Sequence, residues 1–450
     1  MKKFTLYTAL FVFFTAALIK PLPSLAAEAP EIAAEAYILM DMETGQVLAE
    51  KNADQRRSPA STTKIMSALV AIENNTLDKA MSASQKAIDS VPYDYSRAGI
   101  RVGETLTFRS LLDFMLITSA NEAANIIAEN TASDGTVSGF AAMMNSEAEK
   151  LGLTGTHFTN PGGEEDPNHY STARDLAILA RAAMKNDIFR ETVGRIEFSF
   201  PETNLRSSNQ WDNSVVYTNQ LLLSRSSYYS KVTGIKTGWT ELAGRCLVSS
   251  AVNPDGLELI SVILGAATTD LQFSESQKLL EYGFKNFSMQ QLVLKGKYVD
   301  RLEVEDAVDG KKVDLLTSNE ISRILPKDEN ELKQDLTQVK TLDEPFKAPI
   351  EAGQVLGSLE YFYKGVSIGS VDLVAKEGVE KTTFAIFRDK YMEVVSDPRF
   401  MTGVKIAGGA LVFFIILVNV LRVISRKRNR RRRYNYTASK KGGPRRKNYR

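Results

Sequence analysis

Apolar and polar positions along the chain change period repeatedly, and each change predicts an element. Phe4 to Ile19 is almost continuously apolar. Ala36-Tyr37-Ile38-Leu39-Met40-Asp41 and Gln46-Val47-Leu48-Ala49 flank Met42-Glu43-Thr44-Gly45, which predicts a hairpin. From Ser61, the apolar residues Ile65, Leu69 and Ile72 recur at helical spacing. Phe108 to Ile117 is apolar on nearly every side, as in a helix buried at a domain centre. Ser119-Ala120-Asn121 interrupts it; Glu122 to Asn130 predicts another helix, and so does Ser171 to Met184, capped by Ser171 or Thr172. Strand patterns return near Lys231. Gly244 to Val252 and Leu257 to Ala266 are joined by the turn Asn253-Pro254-Asp255-Gly256, and a helix over Phe273 to Phe284 follows. The order strand, helices, strands predicts one α+β domain whose sheet draws on both ends of the segment.

From about Ser288 helical periods become scarce. Short alternating runs such as Leu356-Gly357-Ser358-Leu359-Glu360-Tyr361 and Val371-Asp372-Leu373-Val374 predict a small all-β domain. A last apolar run, Ile406 to Leu421, covers about 24 Å as a helix. Lys405 and Arg422 flank it and extend its reach toward a bilayer core of about 30 Å. The expected organisation is a signal peptide over 1–27, an α+β domain over 28–287, a β-sandwich over 288–395, a transmembrane helix over 404–424 and a basic tail over 425–450. The first assignment rests on Lys2 and Lys3 before the apolar run and on the small residues of Ser24-Leu25-Ala26 after it, with cleavage after Ala26 or Ala27.

Charge sharpens this picture. From Ser425 onward there are thirteen basic residues and no acidic one. The positive-inside rule then puts the tail in the cytoplasm and the region between the two apolar runs outside the membrane. Anionic lipid accounts for the tail charge, so nucleic acid is not expected as a partner. The formal net charge of the whole chain is +2, but residues 28–421 carry −15. An anionic substrate group must therefore be recognised locally. The single cysteine, Cys246, lies in a strand-like run and excludes an internal disulfide. With only His157 and His169 in the chain, a histidine-rich metal site is nearly excluded, and a serine nucleophile has few histidines to serve it.

The candidate chemistry begins at Ser61-x-x-Lys64. Residues three apart share a helix face, so a hydroxyl and an amine can meet there. A serine needs a base, and a lysine is one only when burial or neighbouring cations make it neutral. Being half neutral at pH 7 takes a shift of about three units, roughly 4 kcal/mol. Chance supplies such a pair about once or twice in a chain of this length. Two further motifs follow in order, Ser119-Ala120-Asn121 and Lys236-Thr237-Gly238. Ser207-Ser208-Asn209 repeats the middle pattern, but in a polar stretch without the rigid helical setting of Ser119.

The ordered set resembles the penicillin-recognising serine enzymes. More narrowly it is similar to the low-molecular-mass penicillin-binding proteins, the serine-type D-alanyl-D-alanine carboxypeptidases. The likeness extends over Ser58 to Lys64, Thr118 to Ala124, His169 to Leu176, Gly234 to Thr240, and Pro349 to Gln354 with Val374-Ala375-Lys376. It implies a penicillin-binding or β-lactamase-like domain, an antiparallel sheet with helices, as a serine D,D-peptidase unit. It implies catalytic roles for Ser61, Lys64 and Ser119, and substrate binding by Asn121, Lys236, Thr237, Gly238 and Trp239. The backbone N–H groups of Ser61 and Trp239 would form the oxyanion hole. The implied partners are peptidoglycan stem peptides, β-lactam inhibitors and, through the C-terminal anchor, the cell membrane; no cofactor or metal is expected. The competing readings are a D,D-endopeptidase or transpeptidase with the same residues, a β-lactamase, and a non-catalytic penicillin-binding scaffold. One departure stands out: the family often has Asn-Pro-His-Gly-Leu where this chain has Asn160-Pro161-Gly162-Gly163-Glu164. That change is expected to leave the three motifs untouched and to bear on substrate preference and rate.

Overall fold

The computed structural model describes residues 30–197, 199–211, 218–223 and 232–439. The expected signal peptide lies outside them. The chain divides into two compact units. One takes the residues up to 294 with 320–339 and 359–371; the other takes 295–319, 340–358 and the residues from 372.

The first unit is built on a five-stranded antiparallel sheet. Its strands are β1 (Ala36–Asp41), β2 (Val47–Lys51), β3 (Val232–Thr240), β4 (Gly244–Val252) and β5 (Glu258–Ala266), in the order β2-β1-β5-β4-β3. The N-terminal hairpin thus pairs with the last strand of the unit, from Ala36↔Leu264 to Asp41↔Leu259. Alternation along β1 explains why the sheet is buried on both faces. Ala36, Ile38 and Met40 enter one core; Tyr37 and Leu39 enter the other.

The first core is helical: α1 (Lys64–Asn74), α2 (Phe108–Ile117), α3 (Asn121–Thr131), α4 (Val137–Lys150) and α5 (Ala173–Ala183). The second is covered by α6 (Thr269–Asn286), through Leu279, Leu280 and Phe284. Eight of the ten residues of α2 are buried, Asp113 among them, and only Arg109 and Ser110 are not. Thr107 caps α2 at the Ser110 N–H, and Thr172 caps α5 at the Asp175 N–H, which decides between Ser171 and Thr172. The helix α4 was not singled out by pattern. Its buried residues are Phe140, Ala141, Met144, Glu147 and Ala148, and the polar Asn145, Ser146 and Glu147 among them blur the apolar stripe.

The C-terminal region carries the expected strands, ending with β12 (Val366–Ala375); before it come β6 (Phe287–Val293), β7 (Tyr298–Leu302), β8 (Val313–Thr317), β9 (Ile321–Pro326), β10 (Leu336–Leu342) and β11 (Val355–Tyr363). Strand structure does not continue to residue 395. Thr383–Ser396 is a helix, α7, started by Thr382 capping the Ala385 N–H, with Phe384, Phe387, Tyr391 and Val394 exposed at helical spacing. The last helix, α8 (Pro398–Ser439), overruns the expected 404–424 at both ends. No proline or glycine interrupts it after Gly409, and its arginines and lysines are good helix formers. Residues 398–430 of α8 are long and apolar enough to cross a membrane.

Candidate active site

All three motifs lie in the first unit. Ala60–Thr63 forms a single 3-10 turn that runs directly into α1, so Ser61 and Lys64 stand one turn apart on one face. Ala60 holds a positive φ of 47°, and Ser119 one of 63°, at the break between α2 and α3. Left-handed backbone at residues with a Cβ persists only where the surroundings enforce it, and it is concentrated at functional sites. The turn is fastened from below. Thr62 Oγ1 donates to the Pro59 carbonyl at 2.6 Å, and Thr63 Oγ1 lies 2.8 Å from His169 Nε2. The Thr159 N–H donates to His169 Nδ1 at 3.0 Å, so the imidazole carries its proton on Nε2 and gives it to Thr63. Burial pushes this histidine down to about 4. It is a neutral strut with both nitrogens engaged, not a base for Ser61.

Lys64 is fully buried. Its Nζ lies 2.9 Å from Ser61 Oγ, 2.8 Å from Asn121 Oδ1 and 2.6 Å from the Gly162 carbonyl oxygen. Two of these partners are amide oxygens and can only accept; the third is a hydroxyl and can also donate. A neutral amine has two N–H groups and one lone pair. It satisfies this cage by donating to Asn121 and Gly162 while its lone pair takes the Ser61 proton. Burial holds Lys64 far below the ordinary lysine value, and the Lys236 charge adds to the effect; Glu164 and Glu122 oppose it.

Asn121 is oriented by its second contact, Nδ2 to the Ser96 carbonyl at 3.0 Å. Glu122, next along α3, accepts from the N–H groups of Ala98 and Gly99 at 2.7 and 2.9 Å and so pins the segment that carries Ser96. Ser207, the alternative start of the Ser-x-Asn pattern, caps a short 3-10 turn at Ser208–Gln210.

The third motif lies on β3. Its backbone passes so close to the nucleophile that a Cβ on Gly238 would sit 3.1 Å from the Ser61 nitrogen. Lys236 is only 1% exposed and donates to the Thr237 carbonyl at 3.0 Å; burial pulls it down to about 7. Trp239 is 54% exposed, and the Arg245 guanidinium, directly opposite it in the β3–β4 register, lies 4.7 Å from its ring centre.

The loop after Asn160 touches the catalytic pair directly, contrary to the expectation that it would leave the motifs alone. Ser67 Oγ, one turn beyond Lys64, donates to the Pro161 carbonyl at 2.7 Å, and Gly162 supplies the carbonyl under Lys64. Gly163 is demanded by backbone, and Gly162 is closely fitted against a side chain. A Cβ on Gly162 would lie 2.6 Å from Asn121 Oδ1; on Gly163, whose φ is +86°, it would lie 1.9 Å from the Ala60 carbonyl oxygen.

A cleft of roughly 330 Å³ opens above these groups. Ser61, Ser119, Thr237, Gly238 and Trp239 line it, whereas Lys64, Asn121 and Lys236 stand behind its wall. Pattern reading missed Ser96, Arg245 and the Gly162 carbonyl. Only Arg245 had a usable signal: an arginine just across the turn from the Lys-Thr-Gly strand. A serine lining an open cleft with a buried lysine behind it, and a second serine and a strand edge beside it, defines a serine hydrolase of the acyl-transfer class.

The comparisons agree. Residues 24–268 match the D-alanyl-D-alanine carboxypeptidase family, and residues 287–381 match the penicillin-binding protein 5 C-terminal domain. The chain is 34% identical over 369 residues to the D-alanyl-D-alanine carboxypeptidase DacC of Escherichia coli K12, covering 79% of this chain and 87% of that protein. It is 31% identical over 365 residues to DacF of Bacillus subtilis, covering 80% and 89%. The structure of penicillin binding protein 5 from Haemophilus influenzae superposes with a TM-score of 0.63 at 29% identity, over 79% of this chain and all of that one. The chain belongs to the D-alanyl-D-alanine carboxypeptidase family of low-molecular-mass penicillin-binding proteins, and it is a serine-type hydrolase.

Proposed function

We propose that this carboxypeptidase removes the terminal D-alanine from peptidoglycan stem pentapeptides through an acyl-enzyme on Ser61. The observation that carries the residue-level reading is the cage of Lys64: two acceptor-only oxygens and one hydroxyl around a buried amine. Ser61 Oγ attacks the carbonyl between the last two D-alanines as its proton passes to Lys64 Nζ. The oxyanion forms against the N–H groups of Ser61 and Trp239. Ser119, on the cleft wall, gives its proton to the departing amine and takes one from Lys64, which returns to the free amine. Water then hydrolyses the ester and restores Ser61. A β-lactam enters the same sequence and acylates the same oxygen.

The substrate carboxylate is bound by Thr237 and Arg245, which face the cleft. Lys236 contributes from behind, through its potential and through the Thr237 carbonyl it holds. Asn121 holds Lys64 by its amide oxygen. In the cell, α8 anchors the chain by a single span, with the hydrolase outside and the basic end in the cytoplasm; the charge from Ser425 onward supports this orientation.

The test is release of free D-alanine from a stem pentapeptide by the full chain in detergent, beside Ser61→Ala. Release by the unsubstituted chain and none by Ser61→Ala is the expected result. Release that persists in Ser61→Ala overturns the nucleophile. Labelling by a fluorescent penicillin without release favours a binding scaffold.

A further inference from the structure

Glu164 is one of two acidic groups, with Glu122, whose charge acts on Lys64 and that the reaction described above leaves unused. Its backbone is clamped. Asn160 Oδ1 accepts from the Gly163 and Glu164 N–H groups at 2.8 and 3.0 Å, and Asn160 Nδ2 donates to the Glu164 carbonyl at 3.0 Å. The side chain folds back over its own loop. A Cβ built on Gly162 would lie 3.8 Å from Glu164 Oε1 and 2.6 Å from Asn121 Oδ1, so the carboxylate lies on the same side of Gly162 as the amide oxygen that holds Lys64. It is half-buried, and among the described residues no hydrogen bond or salt bridge engages it.

The charged groups that act on Lys64 come from three elements: Lys236 from β3, Glu122 from α3 and Glu164 from this loop. His169, below the turn, is neutral. Lys236 disfavours a proton on Lys64, and the two carboxylates favour it. Glu122 is tied to the backbone N–H groups of Ala98 and Gly99. Glu164 has no such tie, and burial together with the Lys64 charge governs its own ionisation. Charges in this setting are little screened by salt.

We propose that Glu164 is a positioning residue for acyl transfer: its carboxylate is the counter-charge to Lys236, and their balance sets the pH at which Lys64 is free to accept the Ser61 proton. The inference rests on Lys64 as the base. The proton leaves Ser61 Oγ for Lys64 Nζ as the oxygen–carbon bond forms, and only the free amine can take it. A carboxylate nearby keeps a proton on Lys64; neutralising that carboxylate releases the amine at lower pH.

The test is the rate of acylation by a fluorescent penicillin from pH 5 to 9. It uses the full chain in detergent, with Glu164→Gln, Glu164→Asp and Lys64→Arg beside the unsubstituted protein. The readout is the position of the acid limb, which a purely structural role would not move. Glu164→Gln is expected to shift the limb to lower pH; a displacement of one unit makes acylation about tenfold faster at its foot. Glu164→Asp keeps the charge and keeps the limb near its original place. A Glu164→Gln limb that superimposes on the original, or moves to higher pH, overturns the proposal and leaves Lys64 as base intact. Undiminished acylation by Lys64→Arg overturns the base assignment and the proposal together.

Discussion

The carbonyl oxygen of Gly162 lies 2.6 Å from Lys64 Nζ. A loop residue ninety-eight positions away thus completes the cage of the base through its backbone carbonyl. Lys64 is thereby oriented toward Ser61 with no free N–H to spare when neutral. Substitutions at either end of this contact act on the same chemistry by different routes.

Lys64→Arg keeps a long basic side chain but cannot give up its proton, because guanidinium stays charged at any working pH. The rate of acylation by penicillin is expected to fall by about 10²- to 10⁴-fold, the range for a lost general base. Stopped-flow acylation checks this; a loss under tenfold would remove Lys64 from the proton path.

Gly163→Ala places a methyl group 1.9 Å from the Ala60 carbonyl oxygen at a φ of +86°. The clash is with backbone, so no side chain can swing aside. The expected outcome is a loss of at least about 2 kcal/mol in stability. Acylation falls with it, since Ala60 and Ser61 must shift. Thermal unfolding and penicillin labelling of the detergent-solubilised chain measure both effects. Normal values for both would show that the loop does not brace the turn.

Arg245→Ala removes a cation from the cleft wall while leaving Lys64 and Ser61 in place. A hydrogen bond to a charged group contributes about 1.5–3 kcal/mol, so kcat/KM for a peptide with a free C-terminal carboxylate is expected to fall about 10- to 100-fold. Discrimination against the C-terminally amidated peptide should narrow by the same factor. Unchanged discrimination would assign the carboxylate to Thr237 alone.

His169 gives the fold an acid-sensitive strut. Its folded value near 4 lies below its ordinary 6.5, so the unfolded chain takes up the proton first as pH falls. This contribution is complete above about pH 6.5 and is lost progressively down to about pH 4. It amounts to about 3 kcal/mol. Comparing unfolding midpoints at pH 7.5 and pH 5 should show a steeper decline in the unsubstituted chain than in His169→Asn. Parallel declines would mean the imidazole is not held neutral.

Much of the fold was legible in the chain. Phe108–Ile117 follows its apolar pattern end for end, and the turn Asn253-Pro254-Asp255-Gly256 separates β4 from β5 as read. Period, caps and turns are set by near neighbours, so a linear reading captures them. The helix α7 carries its apolar stripe, Phe384, Phe387, Tyr391 and Val394, at helical spacing with Asp389 and Glu393 on the opposite side, but a β domain drawn to residue 395 absorbs it.

At the site, the sequence by itself determined the order and spacing of Ser61, Lys64, Ser119, Asn121 and Lys236, and the pairing of a hydroxyl with an amine one turn away. Tertiary structure decided what surrounds them. Asn121 reaches Lys64 across 57 residues and Gly162 across 98. Their meeting depends on helices converging on one face of a sheet whose first and last strands pair. Lys236 stands behind the cleft instead of in it, Arg245 comes forward, and the loop after Asn160 joins the catalytic cage. Burial and distance in three dimensions are what turn an ordinary ammonium into a base, and neither has a one-dimensional signature.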